Sequence, residues 1–490
     1  MNMVQEIIVG SPEASGIASR NIANYLNRLR EMDYDLHSFQ IYKDGRKVFG
    51  EAASPYTLES PHRLLSAAKG IIGALVLFAI DEGKLSFESH IVDYFEDKLP
   101  KDLDERFKRI TVYDLMTMQC GQESDAAFIR FLENPEDDLC AGFFRTPMDC
   151  EPGKRFYYNN AVPHLLFFLV ERSTGKDIKT YMDEKLCRPL GIRIEAQYNA
   201  VGVYDPVTTV LSAEDFLKLS LWYLQKGRWG GRWLIDPKLV EMACTRQVWT
   251  GESRPGYHNG KGYCMQLWKN AFGGCRMDGG GGQIALILPE ENMTAVIMGN
   301  ESRAEQAIQL FYDEIFSKMS GRPLEEDPEG AGMLAKAAAD MSRAPYGVTP
   351  HGNKESDFSG KTVCFAENKW GIGQIRFSFG GPETSVHVQA GGIWREYQIG
   401  LGGKWKKSGC PFILPPDTSI QNRIYGPDPM ECFLSGGWSG NRFVVVCKSA
   451  ASMGEYKFVF LFEENGLKVQ IPNGISAGMK QDMGMSYLES

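Results

Sequence analysis

Residues Ile71 to Ile80 (Ile-Ile-Gly-Ala-Leu-Val-Leu-Phe-Ala-Ile) form ten consecutive positions without a polar side chain. A membrane-spanning helix needs about 20 such residues, so this run is too short to cross a bilayer. It is apolar on every helical face rather than along one stripe, the pattern of a helix wrapped by protein on all sides. The sequence therefore needs a domain large enough to surround a central helix over Ser66 to Glu82, with Gly83 as its C-terminal stop. The 490 residues allow this. At roughly 150 residues per domain, they make about three domains or one large domain with a smaller partner.

The chain up to residue 321 mixes helix and strand signals. Ser38 to Phe49 reads as a hairpin turning at Asp44-Gly45. Ala161 to Arg172 and Asp215 to Gln225 read as helices, and two strand-like runs lie between Gly274 and Gly299. A last helix covers about Arg303 to Met319. Residues 322–356 are rich in Pro, Gly, Ala and charge and read as a linker, with a short helix at Met333 to Met341. From 357 to 490 the apolar period becomes two, in short runs such as Tyr456 to Phe462, the layout of a small all-β barrel or sandwich. The expected organisation is α+β over 1–321, a linker over 322–356 and an all-β accessory domain over 357–490.

Charge narrows the function classes. Lys and Arg number 53 against 62 Asp and Glu, a net charge of −9 with no long basic run. Nucleic acid and anionic membrane surfaces are therefore poor partners. The N-terminus shows no basic and apolar pair of segments like those of a signal peptide. Eleven cysteines, an odd count in no compact framework, fit reduced thiols. The expectation is a cytoplasmic protein. No C-x-x-C or H-E-x-x-H occurs, so no metal is expected, and none of the chemistry below requires an organic cofactor.

Three elements carry chemistry. Ser66 and Lys69 open the apolar helix, and a spacing of three sets hydroxyl and amine on one helical face. Burial lowers a lysine's pKa from about 10.4, so a neutral Lys69 can take the Ser66 proton. Glu151 to Asn160 is a Pro-Gly turn running into Tyr157-Tyr158-Asn159-Asn160, with Tyr158 and Asn160 two apart and able to face one cleft. Arg276-Met277-Asp278-Gly279-Gly280-Gly281-Gly282-Gln283 brings bare backbone to a strand. One of its N–H groups, with that of Ser66, can form an oxyanion hole. No Lys-[Ser/Thr] follows, so this is no P-loop.

Their order and spacing resemble the serine β-lactamase and penicillin-binding-protein superfamily, in its class C-like esterase and peptidase branch. Ile110 to Gly121, Leu211 to Asp215 and Gly227 to Arg232 resemble further family segments, so the likeness spans roughly Leu36 to Phe316. It implies a five-stranded antiparallel sheet with flanking helices plus a helical lobe, the site lying between them. It also implies Ser66 as acylated nucleophile, Lys69 as base and Tyr158 as partner base and acid. Asn160 would position Lys69 and substrate, with Gly280, Gly281 and Gly282 beside the substrate. Asn159 stands where the family mostly carries Ser or Ala. Asp278 stands where it usually carries Lys or His, a cation that would bind a penicillin's carboxylate, and Arg276 lies two residues away. Asp278 in the substrate site points instead to a neutral or amine-bearing acyl group. The C-terminal β region resembles lipocalin-like accessory domains by its layout.

The expected function is hydrolysis of an ester or amide in a small molecule or short peptide through a Ser66 acyl-enzyme. The alternatives are a penicillin-binding or sensor-like protein that acylates without turnover, and a true β-lactamase. Gly474-Ile475-Ser476-Ala477-Gly478 matches a nucleophile elbow, but no His follows Ser476, as an α/β-hydrolase triad requires. The sequence leaves monomer and homo-oligomer open.

Overall fold

The structure is a computed structural model and describes residues 6–134, 137–196, 208–251, 261–300, 303–342, 348–368, 371–380, 383–408, 432–449, 454–463, 466–471 and 486–488. Its first unit contains strands β1 (Ile8–Val9), β2 (Leu36–Lys43), β3 (Arg46–Ala52), β4 (Pro61–Arg63), β5 (Val210–Ser212), β6 (Arg228–Trp229), β7 (Arg232–Trp233), β8 (Trp268–Lys269), β9 (Cys275–Gly279), β10 (Gln283–Leu288) and β11 (Met293–Gly299). The main sheet runs β1-β3-β2-β11-β10-β9-β8. Five of these strands, β3 to β9 along that order, form the antiparallel core expected from the resemblance. Two-residue strands extend both edges, β1 pairing with β3 in parallel and β8 pairing with β9. The glycine-rich stretch yields three strands rather than two, because Gly280 to Gly282 make a turn between β9 and β10.

Helices α1 (Ser19–Glu31), α2 (Lys69–Asp81), α3 (Val112–Met116), α4 (Ala126–Glu133), α5 (Leu139–Arg145), α6 (Val162–Thr174), α7 (Ile178–Met182), α8 (Arg188–Leu190), α9 (Ala213–Leu224), α10 (Pro237–Cys244), α11 (Ala304–Glu314) and α12 (Pro328–Ala339) surround the sheet. The central helix behaves as its sequence requires. Lys69 through Ala79 are all buried, and α2 packs against α6 and α10. Ser66 itself lies in a 3₁₀ turn, Leu65–Ala68, that leads into α2. On the sheet's other face, α1 and α11 close a second core around Tyr25, Phe39 and Phe311. The helix expected at 333–341 begins earlier, at Pro328, where Asp327 accepts the Gly330 N–H at 3.0 Å. It lies along α1, held by Arg20–Asp327 and Arg30–Asp340 ion pairs at 2.6 and 2.5 Å. The charge that looks like linker composition is its contact face.

The C-terminal region is all β: β12 (Thr362–Cys364), β13 (Ile372–Ser378), β14 (Glu383–Ala390), β15 (Ile393–Leu401), β16 (Lys406–Ser408), β17 (Cys432–Ser439), β18 (Arg442–Ser449), β19 (Gly454–Glu463), β20 (Gly466–Ile471) and β21 (Ser486–Leu488). They make one ten-stranded, barrel-like sheet, antiparallel except where β15 meets β17. Its inward residues, among them Phe377, Trp438, Phe443 and Phe460, form their own core. The Gly474 to Gly478 match lies outside the described residues. Among the described residues no helix is long and apolar enough to cross a membrane.

Candidate functional site

The site begins where the chain is strained. Leu65 adopts φ +48°, a left-handed conformation that a branched side chain rarely takes. This kink stands immediately before Ser66 and turns the chain from β4 into the 3₁₀ turn. Strand β9 then comes so close that a Cβ on Gly279 would lie 2.1 Å from the Leu64 carbonyl oxygen. The bare backbone of Gly279 therefore serves the approach of strand to serine turn. The neighbouring Met277 points the same way, and its sulfur meets Gly70 at the start of α2.

Ser66, Lys69, Tyr158 and Asn160, 94 residues apart at the extremes, come together. Lys69 Nζ is 3.0 Å from Ser66 Oγ and 3.1 Å from Asn160 Oδ1. It also stands 4.6 Å from the centre of the Tyr158 ring. Burial dominates the electrostatics. It brings the Lys69 ammonium down from 10.5 to about 7, while the Asp125 carboxylate pulls the other way. The same burial pushes the Tyr158 phenol well above its usual range; the neighbouring Ser66 side chain opposes this, and the Asp278 and Asp125 charges add to it. Tyr158 is thus a neutral phenol in the resting site, and Lys69 is the group poised to lose a proton near neutral pH. Once neutral, the Lys69 nitrogen accepts the Ser66 O–H while still donating to Asn160.

Asp125 is the residue that sequence reasoning missed. It precedes α4 in the position of a helix N-cap, yet makes no side-chain cap bond there. Its Oδ1 accepts the Asn160 backbone N–H at 2.8 Å and its Oδ2 accepts the Asn160 amide Nδ2–H at 3.0 Å. An ionised carboxylate only accepts, so it fixes the amide with its oxygen toward Lys69. The only sequence signal is an aspartate where a cap is expected, and that signal misdirects. His164 Nδ1–H donates to the Asn160 carbonyl at 3.2 Å and is packed between Phe128 and Phe131. Asn159 turns away from the cleft, bonding Ser124 O and Ala161 N. Trp268 stacks on the Tyr158 ring at 5.3 Å, and Tyr263 meets its edge at 6.1 Å.

The third element is arranged differently. Strand alternation sets Met277 and Gly279 toward the serine turn and Asp278 with Arg276 toward the other face. Arg276 is fully buried. Its Nε donates to Asp278 Oδ2 at 2.9 Å and its Nη2 to Glu305 Oε1 at 3.0 Å. Arg276 therefore cannot reach a substrate as a compensating cation. Of the turn glycines, Gly282 uses its N–H to close on the Gly279 carbonyl at 3.2 Å. Cys120 is buried, and burial pushes its thiol up to about 12, which makes it inert.

A serine 3.0 Å from a buried lysine, with a tyrosine and an asparagine at hand, on an antiparallel sheet flanked by helices, is the arrangement of a β-lactamase-like serine hydrolase fold. The family described as Beta-lactamase matches residues 37–312, more than half of the sequence, and the chain belongs to that family. The D-aminopeptidase of Brucella anthropi is 25% identical over 181 residues, 34% of each chain. Esterase EstB of Burkholderia gladioli is 24% identical over 157 residues, 29% of this chain and 40% of that one. A fimbrial assembly protein FimD of Dichelobacter nodosus, assigned provisionally, is 29% identical over 134 residues, 26% of this chain and 34% of that one. The chain thus matches about a third of the length of these relatives. A candidate 6-aminohexanoate-dimer hydrolase from Bacillus anthracis shares the fold at TM-score 0.51, with 18% identity over 64% of this chain and 86% of that one.

Proposed function

We propose that Ser66 is the nucleophile of a hydrolase that cleaves an ester or amide of a small molecule or short peptide through an acyl-enzyme. The observation that carries this is the Lys69 amine, poised near pH 7 and held 3.0 Å from Ser66 Oγ. Lys69 takes the hydroxyl proton as Ser66 Oγ bonds to the substrate carbonyl carbon. The oxyanion is held by the Ser66 N–H and a turn amide of Gly280 or Gly281. Tyr158 gives its hydroxyl proton to the leaving alkoxide or amine, and the Lys69 ammonium, beside the Tyr158 ring, returns a proton to the phenolate, so that both are neutral beside the Ser66 ester. Water, deprotonated by the same pair, then frees the acid and regenerates Ser66. Asn160 keeps Lys69 in register and faces the substrate carbonyl.

The charge arrangement supports a substrate class. The one cation on β9, Arg276, is buried and paired with Asp278 and Glu305 on the face away from the serine turn. A carboxylate-bearing β-lactam or peptide C-terminus finds no counter-ion on this strand, whereas neutral and amine-bearing acyl groups are not repelled. Matches to an esterase and a D-aminopeptidase fit that range. The test is intact-protein mass during incubation with p-nitrophenyl acetate and butyrate, a D-alanyl p-nitroanilide and a penicillin, with Ser66→Ala in parallel. The expected result is product release with a transient adduct, absent in Ser66→Ala, and the penicillin as the poorest substrate. Equal turnover by Ser66→Ala would refute the assignment. A lasting adduct from penicillin alone would replace it with an acylating sensor.

A further inference from the structure

Outside the serine site, a string of buried and half-buried titratable groups joins the barrel-like sheet to the strand that leads into Ser66. Lys448 of β18 donates from Nζ to Asp35 Oδ1 at 2.8 Å, across 413 positions of sequence. Asp35 Oδ2 faces His37 Nε2 at 3.5 Å. His37 Nδ1 is 3.0 Å from His62 Nε2, and His62 Nδ1 is 3.0 Å from the Ser60 carbonyl oxygen. Both imidazoles are buried, and the Tyr56 ring stacks on His37 at 3.9 Å. Tyr56 in turn meets Phe433 of β17 edge-on at 6.4 Å. His62 lies in β4, four residues before Ser66.

The direction of each bond follows from the end of the string. A carbonyl only accepts, so His62 carries its proton on Nδ1. Burial drives the His62 pKa down to about 3 and lowers that of His37. Both rings are therefore neutral, and His62 Nε2 presents a lone pair. His37 must then donate from Nδ1, which leaves its Nε2 lone pair facing the Asp35 carboxylate. Two electron-rich atoms oppose each other in a buried place, and 3.5 Å is too long for a hydrogen bond. The arrangement is stable only while a cation holds the carboxylate from its other side. Lys448 is that cation, and it keeps Asp35 well below the usual carboxylate range despite burial. Without it, His37 or Asp35 would take up a proton and His37 would swing onto Asp35. The bond to His62 would be lost, and with it one anchor of β4.

We propose that Lys448 is a positioning residue for the serine turn, so that the barrel-like sheet completes the hydrolytic site through Asp35, His37 and His62 without touching substrate. This rests on the assignment of Ser66 as nucleophile. The test uses the full chain with Lys448→Met, Lys448→Arg and, as a control, Lys457→Met at an exposed position of β19. Steady-state kinetics on p-nitrophenyl butyrate and amide hydrogen exchange of residues 60–66 are read together. For Lys448→Met we expect kcat down about tenfold with KM within about twofold. Exchange at residues 60–66 should be about tenfold faster while the core of α2 is unchanged. Lys448→Arg should recover most of both losses, and Lys457→Met should match wild type. Wild-type kcat and exchange in Lys448→Met would overturn the proposal, as would faster exchange spread over the whole chain or a failure of arginine to rescue. A wild-type protein that hydrolyses neither p-nitrophenyl butyrate nor the D-alanyl p-nitroanilide and forms no Ser66 adduct would overturn the Ser66 assignment instead, and the exchange at 60–66 would still report on the string.

Discussion

Asp125→Asn isolates what a single charge does to the Lys69 base. The carboxylate reaches Lys69 through the Asn160 amide, with contacts of 3.0 Å on one side and 3.1 Å on the other. Adding the width of an amide group places the two charges about 8 Å apart. At an effective dielectric of about 20, such a pair attracts by about 2 kcal/mol, or roughly 1.5 pKa units. Asp125 acts to raise the Lys69 pKa, so its neutralisation lowers it further from about 7. The base works only when uncharged, so wild-type activity is lost as pH falls through about 7 and gained as it rises. In Asp125→Asn the acid limb of kcat/KM should therefore move to lower pH by roughly 1.5 units. The plateau should fall as well, because the new amide offers one acceptor where Asn160 presents two N–H donors. Losing a charge-assisted bond of this kind costs about 1.5–3 kcal/mol, or about ten- to a hundredfold in rate. The assay is kcat/KM for a neutral ester from pH 5 to 9, which carries no titrating group of its own. An acid limb that stays in place or moves upward would refute the reasoning.

Three further outcomes follow from the same contacts. Lys69→Met should be inactive yet more stable at pH 6 by about 1–3 kcal/mol, because the depressed pKa records the cost of burying this amine; chemical denaturation checks it. That gain should shrink as pH rises from 7 toward 10.5, where the unfolded chain's lysine also loses its proton. Gly279→Ala should lower kcat at least about a hundredfold, since its Cβ would meet the Leu64 carbonyl at 2.1 Å and displace the serine turn, with about 1–3 kcal/mol of stability lost; kinetics and thermal melting report both. Arg276→Met leaves Asp278 and Glu305 without their shared cation in a buried place and should cost about 3–5 kcal/mol, read as a lowered first melting transition.

The legible part of this molecule is what a single segment determines. The all-round apolar run from Ile71 to Ile80 gives a central helix because no other environment solvates it, and the Asp44-Gly45 turn gives the β2–β3 hairpin because its backbone demands those residues. The spacing of Ser66 and Lys69 likewise follows from one turn of chain. What was hidden depends on which residue lies across the gap. Asp125 is spent on Asn160, a partner 35 positions away, and not on the helix it precedes. Arg276 reads as an available cation and is enclosed by Glu305, which comes from a helix nearly thirty residues away. The helix at Pro328–Ala339 has the composition of a linker because its acidic ends pair with arginines of α1 at the surface.

Among the described residues, aromatic rings pack the middle of the barrel-like sheet. Phe377 meets Phe460 at 4.9 Å, and Trp438 meets Phe462 at 5.0 Å. A cargo-carrying barrel keeps that volume vacant, whereas here aromatic rings fill it and lock strand to strand. The described strands form a packed block whose outer side chains can press on a neighbour, as Lys448 does on Asp35. Substitutions inside it should act all or none, by melting the block, while substitutions outside can be graded. The sheet is in this sense a lever rather than a vessel, and Lys448 is the point at which it bears.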